Sequence, residues 1–106
     1  MKNLLFICSR NKWRSLTAEK IYKNNRDFNV KSAGTENFAR VRVTSQMPVW
    51  ADIIFVMEKR HKEKLVQNFP EETSNKKIII LEIPDIYRYM DKELIEEIKD
   101  SVAGYF

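Results

Sequence analysis

"NLLFICSRNKWRSLTAEKIYKNN", residues 3–25, decides the fold. Its first seven residues, NLLFICS (3–9), form an apolar run without gaps, the pattern of a strand buried on both faces. Its last eleven, SLTAEKIYKNN (15–25), place Ala18, Ile21 and Tyr22 on one helical face, with Ser15 suited to cap the start. A short loop joins the two. It carries Arg10, Asn11 and Lys12 and connects the only cysteine of the chain, Cys8, to Arg14.

Outward from this stretch the same alternation continues. FNVKSAG (28–34) alternates as a strand and closes on Gly34, and DIIFVME (52–58) and KKIIILEI (76–83) are further apolar runs. KRHKEKLVQNF (59–69) sets Leu65, Val66 and Phe69 on one helical face. DKELIEEIKDSV (91–102) lines up Leu94, Ile95, Ile98 and Val102, with Asp91 as its N-cap. Residues 35–47 read equally as loop, short helix or strand. The order β-α-β-loop-β-α-β-loop-α predicts an α/β fold: one domain over residues 1–106, a four-stranded parallel sheet flanked by helices. In such sheets the cleft lies outside the carboxyl ends of the strands. Cys8, Gly34, Glu58 and the 83–90 loop therefore share one rim.

Composition narrows the classes. The chain has 106 residues, 43% apolar and 32% charged, the balance of a single soluble globular domain. No apolar run approaches the length of a membrane span, and the apolar part of MKNLLFICS is too short for a signal peptide. A lone cysteine forms no internal disulfide, so a cytoplasmic location is expected. One cysteine and one histidine give no metal-ligand spacing, and no cofactor is expected. Charge is uneven: residues 1–26 carry seven Lys/Arg and one acid, whereas residues 82–106 carry seven acids and three Lys/Arg. That asymmetry fits an anion site beside an acid catalyst, and equally two solvated helix faces. No aromatic stacking platform or basic helix stripe points to nucleic acid.

The loop after Cys8 is where chemistry is expected. Backbone N–H groups at the start of a helix, together with its dipole, bind phosphate, and a loop of this length can curl them into an anion nest. The same donors favour a thiolate, so Cys8 is placed to be a nucleophile. Arg14 can fork two N–H donors onto two phosphate oxygens. Ser15 can donate its hydroxyl to the sulfur, and Asn11 tolerates a left-handed backbone and can tie the loop with its amide. Trp13 is a candidate for the mouth of the site.

CSRNKWRS resembles the C-x-x-N-x-x-R-S loop of the low-molecular-weight protein tyrosine phosphatases. VKSAGT (30–35), ADIIFVMEKRHKEKL (51–65) and IPDIYRYMDKELIEEI (83–98) resemble later segments of that family, in family order, over roughly half the chain. The resemblance implies Cys8 as nucleophile, Arg14 as phosphate clamp, and Asn11, Ser15 and Ser32 as loop supports, with Ser32 bonded to Asn11. It implies that Ser9, Arg10, Asn11, Lys12, Trp13 and Ser15 line the phosphate site and that Tyr87 walls the substrate pocket. Three departures stand out. The chain is shorter than typical members, chiefly between Gly34 and Trp50. Arg10 stands where the family has glycine. The family's acid lies in an Asp-Pro dipeptide, whereas here Asp85 follows Ile83-Pro84. Asp85 is the leading candidate for the general acid, with Asp91 and Glu82 in reserve.

His61 reads as a partly buried surface residue, and Arg40 and Arg42 as cations of a solvated loop. The implied activity is hydrolysis of phosphate monoesters, foremost protein phosphotyrosine, through a cysteinyl-phosphate intermediate and without metal. A phosphoarginine phosphatase and a catalytically weak phosphate-binding regulatory module are the alternatives. Arsenate reductases have a similar loop but relay oxidation through further cysteines, which this chain lacks. The expected partners are a phosphorylated protein or small phosphomonoester, with no nucleic acid and no membrane, for a monomer or weak dimer.

Overall fold

The computed structural model describes residues 1–106 and holds one four-stranded sheet, all parallel, in the order β2-β1-β3-β4. The strands are β1 (Lys2–Cys8), β2 (Phe28–Gly34), β3 (Ile53–Val56) and β4 (Lys77–Ile80). Helices α1 (Arg14–Tyr22), α2 (Gln46–Trp50), α3 (Lys59–Asn68), α4 (Pro70–Thr73) and α5 (Lys92–Val102) fill the connections, and a 3-10 turn spans Ala103–Tyr105. The fold class agrees with the expectation from sequence.

β1 is central because it can be covered on both faces. Leu4, Leu5, Phe6 and Ile7 are all fully buried. Successive side chains point to opposite faces of a strand. Leu4, Phe6 and Cys8 therefore join a core with Ala18 of α1 and Leu94, Ile98 and Val102 of α5. Leu5 and Ile7 join a second core with Ala33, Val43, Ile54 and Leu65 on the α2–α3 side. A polar residue at any of these positions would leave an unpaired group between sheet and helix.

The structure settles one open segment, adds two short elements and shortens one strand relative to the sequence reading. The ambiguous segment resolves into turns, an isolated bridge between Gly34 and Arg42, and the short helix α2. α4 and the 3-10 turn have no apolar periodicity of their own, being too short to complete a helical repeat. β4 ends at Ile80 rather than at residue 83. Leu81 and Ile83 still donate to the carbonyls of Val56 and Met57, but Glu82 between them has φ 58°, outside the strand region. That break turns the chain across the end of the sheet. At the other end of the crossover Asp91 caps α5 as expected, its Oδ1 accepting from the Glu93 N–H at 2.9 Å. No helix is long and apolar enough to cross a membrane.

Candidate active site

β1 delivers Cys8 to the carboxyl end of the sheet, where it pairs in register with Gly34 of β2. From there residues 9–13 curl into a loop that returns into α1. Two features shape it. Asn11 adopts φ 54°, the left-handed conformation an asparagine accepts with least strain. Gly34 leaves room for the loop: a Cβ there would stand 2.5 Å from the Ser9 carbonyl oxygen and 2.9 Å from the Arg10 carbonyl carbon. The segment after β2 then clasps the loop. Thr35, Glu36 and Arg40 donate backbone N–H groups to the carbonyls of Cys8, Ser9 and Arg10. The Arg40 Nε donates to the Asn11 carbonyl at 3.3 Å, so Arg40 is tied to the loop rather than merely solvated.

Beneath the loop a chain of side-chain hydrogen bonds reaches the sulfur. Asn11 Nδ2 donates to Ser15 Oγ and to Ser32 Oγ, each at 2.8 Å. Ser15 Oγ, which accepts from Asn11, lies 2.9 Å from Cys8 Sγ and 3.5 Å from the Ala33 carbonyl, so its one hydrogen has two acceptors within reach. Ser32 passes its own hydrogen to Glu19 Oε1 at 2.8 Å. The Asn11 backbone N–H also points at Sγ, at 3.3 Å. The expected contact between Asn11 and Ser32 is present. Ser15 does not cap α1: the N-cap position is Trp13, which makes no side-chain cap, and Ser15 faces the sulfur from inside the first turn.

Above the sulfur opens a small pocket lined by Cys8, Ser9, Arg10, Lys12, Trp13, Arg14 and Asp85. Asn11 and Ser15, expected to line it, are buried beneath it and do not. Arg14 is 2% exposed, yet its charge is balanced. Its Nη1 donates to Glu58 Oε1 and to the Ile83 carbonyl, the latter at 2.8 Å. On its other side Nε stands 3.7 Å from Asp85 Oδ1, and both residues line the pocket. Asp85 is 51% exposed at the rim. Of the three candidate carboxylates, it alone lines the pocket, while Asp91 caps α5 and Glu82 lies at the strand break.

Tyr87 does not wall this pocket. It packs against the α1–α5 core and borders a separate groove with Glu93, Glu96, Glu97 and Asp100 of α5. The cause is the path of the chain after Asp85. Met90 takes φ 61° and donates its N–H to Thr17 Oγ1, which ties the end of this segment to α1.

Two residues beyond those expected from sequence belong to the site. Glu58, at the end of β3, pairs with Arg14 and, through Oε2, with Arg60 Nε at 2.8 Å. The Arg60 hydrogen bond, with that of Arg14 and both cations' charges, holds the Glu58 carboxyl below its usual range against the opposing effect of burial. Its place on the common rim was legible, but its partner was not, because Arg14 lies 44 residues away. His61, read as a partly buried surface residue, is 1% exposed and bonds Ser9 Oγ through Nε2 at 2.9 Å. Burial foremost, then Arg14 and Arg60, push its pKa down to about 4, so it is neutral near pH 7. No group of His, Cys, Asp or Glu side chains is placed to hold a metal ion.

No family model matches the chain, and no curated protein matches it by sequence. Solved structures do share its fold. SP-PTP, a low molecular weight protein tyrosine phosphatase from Streptococcus pyogenes, aligns with a TM-score of 0.80 over 100% of this chain and 94% of its own, at 17% identity. The tyrosine phosphatase Wzb from Escherichia coli K30, in complex with phosphate, aligns at 0.77 over 99% and 96%, with 22% identity. The YwlE arginine phosphatase from Geobacillus stearothermophilus aligns at 0.74 over 98% and 92%, with 23% identity. The chain has the fold of the low molecular weight phosphatases along nearly its whole length.

Proposed function

We propose that residues 1–106 form a cysteine-dependent phosphatase acting on phosphate monoesters, foremost phosphotyrosine in proteins. The observation that carries this reading is the meeting of Cys8, Arg14 and Asp85 in the lining of one pocket. Cys8 attacks phosphorus in line as the ester P–O bond breaks, with Asp85 supplying the proton to the departing oxygen. Water then attacks the phosphocysteine, Asp85 takes its proton, and the S–P bond breaks to give inorganic phosphate and the thiolate. Ser15 stabilises that thiolate as it leaves. Arg14 and the loop N–H groups carry the charge that accumulates on the equatorial oxygens. Neither a metal nor a cofactor has a part in this scheme, and the cytoplasm is its expected setting.

Phosphoarginine is the second substrate to consider, since a structure sharing this fold bears the name of an arginine phosphatase. A panel of p-nitrophenyl phosphate and of phosphotyrosine, phosphoserine and phosphoarginine peptides tests both readings. The expected outcome is turnover of p-nitrophenyl phosphate and of the phosphotyrosine peptide, with phosphate trapped on Cys8 after rapid acid quench and no activity in Cys8→Ser. Preference for the phosphoarginine peptide would reassign the substrate. Phosphate binding without turnover of any member would leave a phosphate-binding module.

A further inference from the structure

We propose that His61 is a positioning residue that turns the Ser9 hydroxyl into a hydrogen-bond donor for the phosphate held above Cys8. The proposal rests on the phosphatase reading and adds a residue to its binding machinery.

One donor fixes the tautomer of His61. The Glu58 backbone N–H points at His61 Nδ1 at 3.0 Å, and an amide N–H can only donate, so Nδ1 must present a lone pair. On a neutral imidazole the proton then sits on Nε2. Nε2 lies 2.9 Å from Ser9 Oγ, so Ser9 receives this hydrogen bond. The reverse tautomer would set N–H against N–H at Glu58 and spend the Ser9 hydrogen on the ring. The ring stays neutral because it is buried and faces Arg14, Arg60 and Lys64, with only Glu58 favouring the charged form. Ser9 is thus left with one hydroxyl hydrogen and one lone pair. It lines the same pocket as Cys8 and Arg14, where an anion is the natural acceptor. Capping α3 needs only the Nδ1 contact, so the second contact has no role in the helix itself. Glutamine at 61 would serve both contacts, its oxygen accepting from Glu58 and its amide donating to Ser9, as in a capping box. Leucine would serve neither.

A double-mutant cycle on the full chain tests this, reading the dissociation constant of inorganic phosphate and, alongside it, kcat/KM on p-nitrophenyl phosphate. Ser9→Ala is expected to weaken phosphate binding about 10-fold, as for loss of one donor to a charged acceptor. His61→Leu should cost about as much in the wild-type background, nothing further beside Ser9→Ala, and His61→Gln should stay within about 3-fold of wild type. Additive losses in the double mutant would overturn the proposal, as would a Ser9→Ala protein that binds phosphate like wild type. If His61→Leu does not fold, nitrogen NMR of the wild-type ring decides. A proton on Nε2 with bare Nδ1 at neutral pH supports the proposal, and the opposite tautomer or an imidazolium overturns it. Wild-type protein that binds phosphate but hydrolyses nothing would sink the phosphatase reading alone, leaving the cycle readable on binding. Wild-type protein that binds no phosphate would sink both.

Discussion

Glu58 grips Arg14 by Nη1, while Asp85 Oδ1 stands 3.7 Å from its Nε. Without that carboxylate the buried arginine would keep only the half-exposed Asp85 opposite its charge, and its fork would lose its fixed direction. Glu58→Gln is therefore expected to raise KM for phosphomonoesters about 10-fold through a misaligned clamp, while the protein stays folded. The sign with pH follows from the lowered carboxyl. A carboxylate held below its unfolded value contributes stability that is present above the ordinary carboxylate range and lost as pH falls through and below it. Urea midpoints that fall on acidification in the wild type, and fall less in Glu58→Gln, would match this; identical profiles would refute it.

Arg14→Lys should fold yet lose at least about 100-fold in kcat/KM, because one ammonium cannot hold Glu58, the Ile83 carbonyl and two phosphate oxygens at once. Steady-state kinetics on p-nitrophenyl phosphate, with circular dichroism as the control, check it. Retention of most wild-type activity would remove Arg14 from the role of clamp.

Asp85 is tested by the leaving group. Asp85→Asn should slow phosphotyrosine hydrolysis by at least about 100-fold and cost less with an activated aryl phosphate that needs no proton. With the activated ester, phosphocysteine should accumulate, since the attacking water has lost its base. An equal small loss across leaving groups would reject Asp85, and the same scan on Asp91 and Glu82 would follow.

Gly34→Ala should loosen the loop without touching any reacting group. Its Cβ would meet backbone atoms of Ser9 and Arg10, which cannot swing aside as a side-chain end would. The expected cost is about 1–3 kcal/mol in stability, read as a lowered urea midpoint, together with weakened phosphate binding. Unchanged values of both would show that the loop can relax away from β2.

His61 gives a pH signature in stability. Its pKa is pushed down from 6.5 to about 4 in the folded chain, so between those values the unfolded chain binds more protons. Stability is then full above the unfolded value and declines as pH falls toward about 4, by an amount on the order of 3 kcal/mol. His61→Gln should flatten that part of the profile, measured as urea midpoints from pH 7 down to pH 4. A slope unchanged by the substitution would assign the acid sensitivity elsewhere.

The sequence by itself determined the sheet and the loop from Cys8 to Ser15, because both are written in local order. Gap-free runs such as Leu4–Ile7 have no exposed face, so they had to be strands between two helical layers, and Cys8, Arg14 and Ser15 follow one of them within a single turn of chain. Asn11 was legible for the same reason, its left-handed backbone being a property of the residue and its loop. Tertiary structure alone decided which distant groups complete the site. Glu58 meets Arg14, and His61 meets Ser9, because β3 lies beside β1 and brings the start of α3 to the loop. No periodicity encodes a contact across 44 or 52 residues. His61 looked like a partly buried surface residue because a polar side chain is normally solvated, and only its two partners make its burial affordable. Tyr87 left the pocket for a similar reason: its direction is set by a turn at Met90 that a hydroxyl on α1, Thr17, holds from 73 residues away.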